Sequence, residues 1–308
     1  MGERSLTPQE VADLLQIKKN TVYELVKRGE LKAYRVGRKL RVEETAVNEY
    51  KAGMMEHQMP QKTFAPISTP FLPNRGELII CGQDAFLDVL SQRLENHPQG
   101  AKCLRHYIGS YNAIYELYND RAQVATAHLW DGDTDTYNLP YMKGMLPGIP
   151  FVLIRLVSRI QGFYVQKGNP QGIQSWEDLK RNDIILANRE KGSGTRVLLD
   201  ERLRLLQIRS HHLQGYDQVF TSHLSVASAV AQGRADFGLG NEKAALQTPT
   251  IDFIPMQEEW YDMVMKKEDF EQDACQTIVS ILNTLDFKRE IEAMGGYNTG
   301  DMGKILHA

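Results

Sequence analysis

Cysteine is scarce in this 308-residue chain, and the three present, Cys81, Cys103 and Cys275, lie far apart. Their odd number excludes a complete disulfide framework, and they lack the paired spacing of a zinc site, so a reducing cytoplasm fits best. Long apolar runs are missing too, and no stretch approaches a transmembrane span. The first residues, Met-Gly-Glu-Arg-Ser-Leu-Thr-Pro, lack a basic run followed by an apolar core, which argues against a secretory signal. Neither sign of charge dominates: the net charge is −3, with 24% charged and 42% hydrophobic residues. That balance predicts a soluble globular protein, and the length predicts two or three folding units.

Signatures of catalysis are also lacking. A Walker A loop needs Gly-Lys-Ser/Thr, whereas the chain offers Gly194-Thr195-Arg196. Gly238-Leu239-Gly240 lacks the third glycine of a dinucleotide loop, because position 243 is Lys243. There is no Gly-x-Ser-x-Gly elbow. His211, His212 and His223 have no suitably spaced acidic or thiol partners, so no metal site is expected. These absences favour a binding protein over an enzyme acting on a small anion.

What is present begins with an uneven distribution of charge. Residues 1–52 carry 11 Lys/Arg against 8 Asp/Glu, and residues 32–41 hold five basic residues and no acidic one. Local charge is what a phosphate backbone feels. Thr7-Pro8-Gln9-Glu10 reads as a capping box with proline in the first helical position, followed by an apolar stripe at Val11, Leu14 and Leu15. A turn at Ile17 and Lys18 leads to a second helix, with Asn20 as its cap, Val22, Leu25 and Val26 facing inward, and Gly29 as its stop. Leu31–Val36 and Lys39–Val42 then read as a β-hairpin joined at Gly37-Arg38, and a third helix follows near Glu44 to Lys51.

This order predicts a winged helix-turn-helix. Its second helix would lie in the major groove, with Lys18, Lys19, Asn20, Thr21 and Tyr23 reaching bases or phosphates. The wing would add Arg35, Arg38, Lys39 and Arg41. A solvated basic face on a small helical domain would carry the same charge, but the succession of capped helix, turn, glycine and basic hairpin favours the DNA reader. Residues 5–52 also resemble the excisionase-type winged helix-turn-helix family, through Leu6 to Ala12, Asn20 to Leu25 and Leu31 to Arg38. Lys19 departs mildly, since many relatives have serine or arginine there.

Residues 53–76, with Gly53, Pro60, Pro66, Pro70, Pro73 and Gly76, read as a linker. From Leu78 onward, apolar strands alternate with helices, which is the grammar of an α/β domain spanning 77–308. Expected strands are Leu78–Cys81, Gln123–Ala127, Phe151–Val157, Gly162–Gln166, Ile184–Ala187, Ala235–Leu239 and Ile251–Pro255. Small or polar residues follow several strand ends, at Gly82-Gln83-Asp84, Gly109 to Asn112, Gly192 to Thr195 and Thr221 to His223. Each can serve turn geometry alone; converging on one cleft, their helix-start amides would cradle an anion. Arg196 offers a further fork of donors, whereas Asp84 opposes an anion unless it bonds its own helix and points away. His128 is open to two readings, a ligand contact or a buried, satisfied histidine.

This region resembles the cytoplasmic relatives of type II periplasmic binding proteins, the molybdate-binding-protein-like domains found behind helix-turn-helix modules. Gly109 to Asn112, Ala127-His128-Leu129, Asn188 to Arg196 and Ala227 to Gly240 carry the resemblance. It implies an α/β architecture of two lobes, about 77–160 with 257–308 and the stretch between, joined by crossover strands. A return strand near Trp260 to Lys266 and a terminal helix around Asp273 to Ile291 would rejoin the first lobe. By the same resemblance Ser110, Asn112, Ser193, Gly194, Thr195 and Ser222 become ligand contacts, with His128 and His223 beside them. Gln83 stands where such proteins commonly offer serine. The expected protein is a one-component transcription regulator, homodimeric on double-stranded DNA, without a cofactor and sensing a small ligand such as molybdate or tungstate. The competing expectation is a ligand-binding or storage protein of molybdenum-cofactor metabolism that does not regulate transcription.

Overall fold

The structure, a computed structural model, describes residues 5–15, 17–27, 31–37, 39–48, 50 and 77–307. The expected linker, the stop at Gly29, Arg38 and Lys51 lie outside the described residues, as does the side chain of Arg35. The chain divides between residues 69 and 70 into two compact units.

In the first unit, β1 (Ser5–Leu6), α1 (Pro8–Leu15), α2 (Lys19–Lys27), β2 (Tyr34–Val36) and β3 (Lys39–Glu43) precede a helical stretch at residues 44–48, α3. The capping box forms: the Thr7 amide donates to Glu10 Oε2 at 2.7 Å, and the Glu10 amide donates to Thr7 Oγ1 at 3.3 Å. Val11, Ala12, Val22, Leu25, Leu31, Val42 and Val47 make the core with Leu6. β1, which was not expected, pairs with β3 and completes a three-stranded sheet in the order β1-β3-β2.

Two expectations need correction here. Leu14 is exposed, because it sits about 60° outside the arc shared by Val11, Ala12 and Leu15. Asn20 is not the cap of α2: the helix starts at Lys19, and the Lys18 carbonyl accepts the Thr21 amide at 2.8 Å.

The second unit contains β4 (Glu77–Cys81), α4 (Phe86–Glu95), β5 (Lys102–His106), α5 (Ser110–Tyr118), β6 (Val124–Ala127), β7 (Trp130–Asp131), β8 (Thr136–Tyr137), α6 (Leu139–Met145) and β9 (Phe151–Gln166). There follow β10 (Leu186–Arg189), α7 (Gly194–Leu205), β11 (Val219–Phe220), α8 (His223–Ala231), β12 (Phe237–Asn241), α9 (Glu242–Leu246), β13 (Ile251–Lys266), α10 (Lys267–Phe270), α11 (Asp273–Leu282), α12 (Leu285–Ala293) and β14 (Ile305–His307). Strands run in the order β11-β10-β12-β9-β13-β6-β4-β5, with β14 beside β9.

β9 and β13 are the pieces that join the lobes. Each is one 16-residue strand where the sequence suggests two, and they pair antiparallel from Ile251↔Gln166 to Lys266↔Phe151. Parallel β5, β4 and β6 build lobe one, and parallel β11, β10 and β12 build lobe two. The lobe-one sheet is covered by α4, α11 and α12 on one face and by α5 and α6 on the other, so β6 is buried throughout and reads as an unbroken apolar run. The terminal helix expected over Asp273 to Ile291 is broken by Thr284, whose side chain accepts the Phe287 amide and caps α12.

Candidate functional site

On the N-terminal unit, Lys18, Lys19, Asn20, Thr21, Tyr23 and Lys27 are exposed, and the first turn of α2 carries no acidic residue. At 3.6 residues per turn, Lys19, Asn20, Tyr23 and Lys27 share an arc of about 100°, opposite the buried Leu25. Thr21 lies off that face, on the flank beside Leu25. Lys39 is exposed and Arg41 half-buried on the hairpin, which turns at Gly37 with φ +61°. This surface offers donors and charge at the positively polarised end of a helix, which suits nucleic-acid phosphates and base edges.

In the second unit the C-terminal ends of β4, β6 and β10 and the starts of α5, α7 and α8 meet in a cavity of about 30 Å³. Gln83, Ser110, His128, Ser193, Gly194 and His223 all line it. The other three expected contacts lie outside the lining. Asn112 is exposed with its carboxamide against Gly192. Thr195 is buried with Oγ1 3.5 Å from Gln161 Nε2. Ser222 is turned to its own helix, where Oγ accepts the Ser225 amide at 3.1 Å. Arg196, expected to add donors, is tied to Asp200 at 3.0 Å, reaches the Arg189 carbonyl at 3.2 Å and stacks over Tyr216.

The two lobes touch across this cavity. The Tyr111 amide donates to the Gly192 carbonyl at 2.9 Å. Gln83 bridges the lobes twice, accepting from Arg189 Nη2 at 2.7 Å and donating to Glu190 Oε1 at 3.2 Å. Glycine is required at two of the contacts: a Cβ on Gly109 would sit 2.7 Å from the Gly192 carbonyl, and one on Gly194 would sit 2.6 Å from the His128 ring. The arrangement is therefore a closed cleft.

Behind the cavity lies an ion network on the crossover strands that sequence reasoning missed. Arg159 of β9 donates to Asp84 and to Glu259 of β13, and the other Glu259 oxygen pairs with His128 Nδ1 at 2.8 Å. Asp84 also accepts the Tyr297 hydroxyl and, at 2.8 Å, the amide of Phe86, so its acceptor positions are largely used. Burial alone would raise the Glu259 pKa, but Arg159 and His128 outweigh it and hold the carboxyl at about 2. Arg189 is clamped on Glu190, with Nε 2.9 Å from Oε2.

Two guanidinium groups are thus matched by three carboxylates. Formal positive charge is not in surplus, and what faces the cavity is chiefly helix-start amides, the hydroxyls of Ser110 and Ser193, and two imidazoles. A helix leaves its first amides without partners inside the helix, and α5 and α7 present theirs from opposite lobes. His223 is held neutral, its pKa pushed well below the usual value first by burial and then by Arg189, Arg159 and His128. Its Nδ1 is buried without a hydrogen-bond partner.

Known proteins place both units. A helix-turn-helix domain family matches residues 5–55, and the PBP superfamily domain matches residues 91–283. The chain is 43% identical to the uncharacterized protein YvgK of Bacillus subtilis (strain 168), over 98% of this chain and 97% of that one. It is 54% identical to the putative DNA-binding protein Rv0500A of Mycobacterium tuberculosis (strain ATCC 25618 / H37Rv) over 44 residues, 14% of this chain and 56% of that one. A putative phosphate ABC transporter substrate-binding protein of Clostridium perfringens, solved with bound phosphate, shares the fold with a TM-score of 0.54 at 14% identity, covering 72% of this chain and 98% of its own. Among the described residues, no helix is long and apolar enough to cross a membrane. The chain therefore belongs to the PBP superfamily, in a branch that carries a helix-turn-helix domain at its N-terminal end.

Proposed function

We propose that this protein is a one-component transcription regulator in which a small oxyanion, of the molybdate, tungstate or phosphate kind, occupies the closed cleft and alters how the N-terminal domain engages an operator. The observation that carries the reading is the convergence of the starts of α5 and α7, from opposite lobes, on one small buried cavity. An anion held there bonds both lobes at once and favours closure by its differential affinity for the closed state. Asp84 does not oppose it, because Arg159, Tyr297 and the Phe86 amide already engage that carboxylate. A cavity of about 30 Å³ suits a compact ion better than a larger organic ligand.

The mechanism is binding without bond chemistry. Ligand links the lobes through amides and hydroxyls, and Gln83 with the Arg189–Glu190 pair fastens the rim. Closure then shifts the DNA-bound population, a coupling of the usual 1–3 kcal/mol order. The protein acts as a homodimer in the compartment that holds the DNA.

Calorimetry with molybdate, tungstate, phosphate, sulfate, small carboxylates and amino acids tests the ligand class, and a promoter-DNA gel shift at several salt concentrations tests the output. Binding of one of the oxyanions, together with a salt-dependent shift that the ion modulates, is the expected result. Loss of the shift in Lys19→Ala or Arg38→Ala with the fold intact is also required. If only amino acids bind, the oxyanion assignment fails. If no promoter DNA is shifted, the regulator reading fails and a ligand-binding or storage protein remains.

A further inference from the structure

Helix α5 covers the lobe-one sheet with Ala113, Ile114 and Leu117, all fully buried. Its opposite face carries Tyr111, Tyr115 and Tyr118, which are 45%, 51% and 43% exposed. At 100° per residue the three tyrosines fall within an arc of about 60°, so they form one straight stripe along the helix. A surface helix ordinarily places charged residues on its outer face, and a row of three large rings there is the composition of a contact surface. Tyr107 is a separate case: its hydroxyl donates to Asp88 at 2.7 Å and its ring lies under Arg105.

We infer that this stripe is the surface through which two copies of the chain associate, packing α5 against α5 antiparallel about a two-fold axis near Tyr115. Three features select a second copy as the occupant. The spacing is nearly palindromic, four residues then three, so antiparallel packing places Tyr115 beside its symmetry mate and Tyr111 beside the partner copy's equivalent of Tyr118, as an isologous contact demands. The stripe carries no formal charge, and its nearest ions are matched internally: Arg121 grips Glu116 through two bonds of 2.8 Å, and Asp120 is paired with Lys266. Like surfaces therefore meet without repulsion. The nine-residue helix α2 also reads only one half-site, so the DNA-binding output proposed above gains from a paired copy. This last support rests on the regulator reading; the first two do not.

The size of the surface sets the strength. A tyrosine side chain buries about 150–250 Å² in full, and half of that from three rings on each copy gives roughly 600 Å² in total. That is below the ~1,200 Å² at which standard complexes begin, even before the flanking Asn112 and Asn119 are added. The contact is accordingly a concentration-dependent one, reinforced when two half-sites on one DNA hold the copies together. Its position ties it to the cleft: the amide of Tyr111, at one end of the stripe, bonds the Gly192 carbonyl of the other lobe. Closing the cleft fixes that end of the surface.

Sedimentation of the full chain through the micromolar range gives a monomer–dimer equilibrium if the inference holds. Tyr115→Glu, which sets two carboxylates near the axis, weakens it at least about tenfold, while Leu285→Glu, on the 71% exposed position of α12, leaves it unchanged. Tyr115→Cys forms an intermolecular disulfide under mild oxidation, Tyr111→Cys cross-links to Tyr118→Cys in a mixed sample, and Leu285→Cys does neither. A chain that stays monomeric, a dimer indifferent to Tyr115→Glu, or cross-linking at Leu285→Cys equal to that at Tyr115→Cys overturns the assignment. The cross-links decide it without DNA, so failure of the chain to bind a promoter would sink the regulator reading and leave this result standing. Conversely, intact operator binding by a dimer that ignores Tyr115→Glu would sink the stripe alone.

Discussion

In the N-terminal unit the residues expected to read DNA lie between positions 18 and 41, and most of those described are exposed; the cavity of the second unit draws its lining from positions 82 to 261 and keeps Arg159, Arg189, Asp84 and Ser193 buried. The difference separates two kinds of recognition. A DNA reader needs side chains that are free to approach a ligand larger than itself, so its chemistry stays on the surface and contiguous in sequence. A cleft that closes around a small ion must hold its charges in low dielectric, where each one needs a partner. Removing a functional residue should therefore cost the first unit its binding and the second unit its fold.

The largest effect expected from this contrast is at Arg159. Arg159→Ala leaves the Asp84 and Glu259 carboxylates buried without their cation, which costs about 3–5 kcal/mol. Urea unfolding of the full chain should show the transition of the second unit moving to much lower denaturant. A shift of under about 1 kcal/mol would mean that water or rearrangement compensates, and that the network does not tie the crossover strands together.

Closure itself is tested by Gly109→Ala. The added Cβ meets the Gly192 carbonyl of the other lobe and nothing in its own sheet, so the lobes should stay folded but part. We expect ligand affinity to fall at least about tenfold, or about 1.4 kcal/mol, with an increased radius of gyration by small-angle scattering. Unaltered affinity would show that the ion does not need the lobes in contact.

Ionisation sharpens the contrast further, because two buried carboxylates of the crossover strand β13 carry opposite pH dependences. Glu259, held at about 2, contributes stability that is present above the ordinary carboxylate range and is lost as pH falls toward 2. Asp262 is the reverse: burial raises its pKa to about 6, against Arg155 and Asn138, so the folded state binds the extra proton and stability declines as pH rises from about 4 through 6. Asp262→Asn should flatten the stability profile between those values, as read by thermal unfolding across the pH range. A profile that keeps its slope would assign the titration elsewhere.

How much of this was visible in the sequence follows the same division. The capping box at Thr7 and Glu10 acts over three residues, and the basic turn and hairpin are consecutive, so local pattern identified them. β9 and β13 read as two strands each because Ser158 to Gln161 and Gln257 to Glu259 interrupt the apolar run, and polar residues suggest a surface turn. Folding instead places Arg159 and Glu259 beside each other across about 100 positions of sequence, where they satisfy one another. No window of sequence contains both. The strand-end glycines and serines pointed to the cavity because turn chemistry is local, but direction was not legible: Arg196 and Ser222 turn to their own elements, and Asn112 and Thr195 fall just outside the lining. Asp84, which looked hostile to an anion, needed Tyr297 from the far end of the chain to be understood.

The smallest expected effect on stability is at Lys19, and it completes the comparison. Lys19 is exposed in the first turn of α2, so Lys19→Ala should change unfolding by no more than about 0.5 kcal/mol. Its effect belongs to DNA, and the salt dependence says how. If the ammonium neutralises a phosphate, the loss is similar on every sequence and the slope of log K against log salt becomes shallower by about 1. If it bonds a base edge, the slope is kept and operator binding alone weakens, by about 1–3 kcal/mol. Titrating operator and random DNA at several salt concentrations separates these two outcomes. A variant that binds both DNAs like the parent would remove α2 as the reading element, while the ion network at Arg159 would still hold the second unit together.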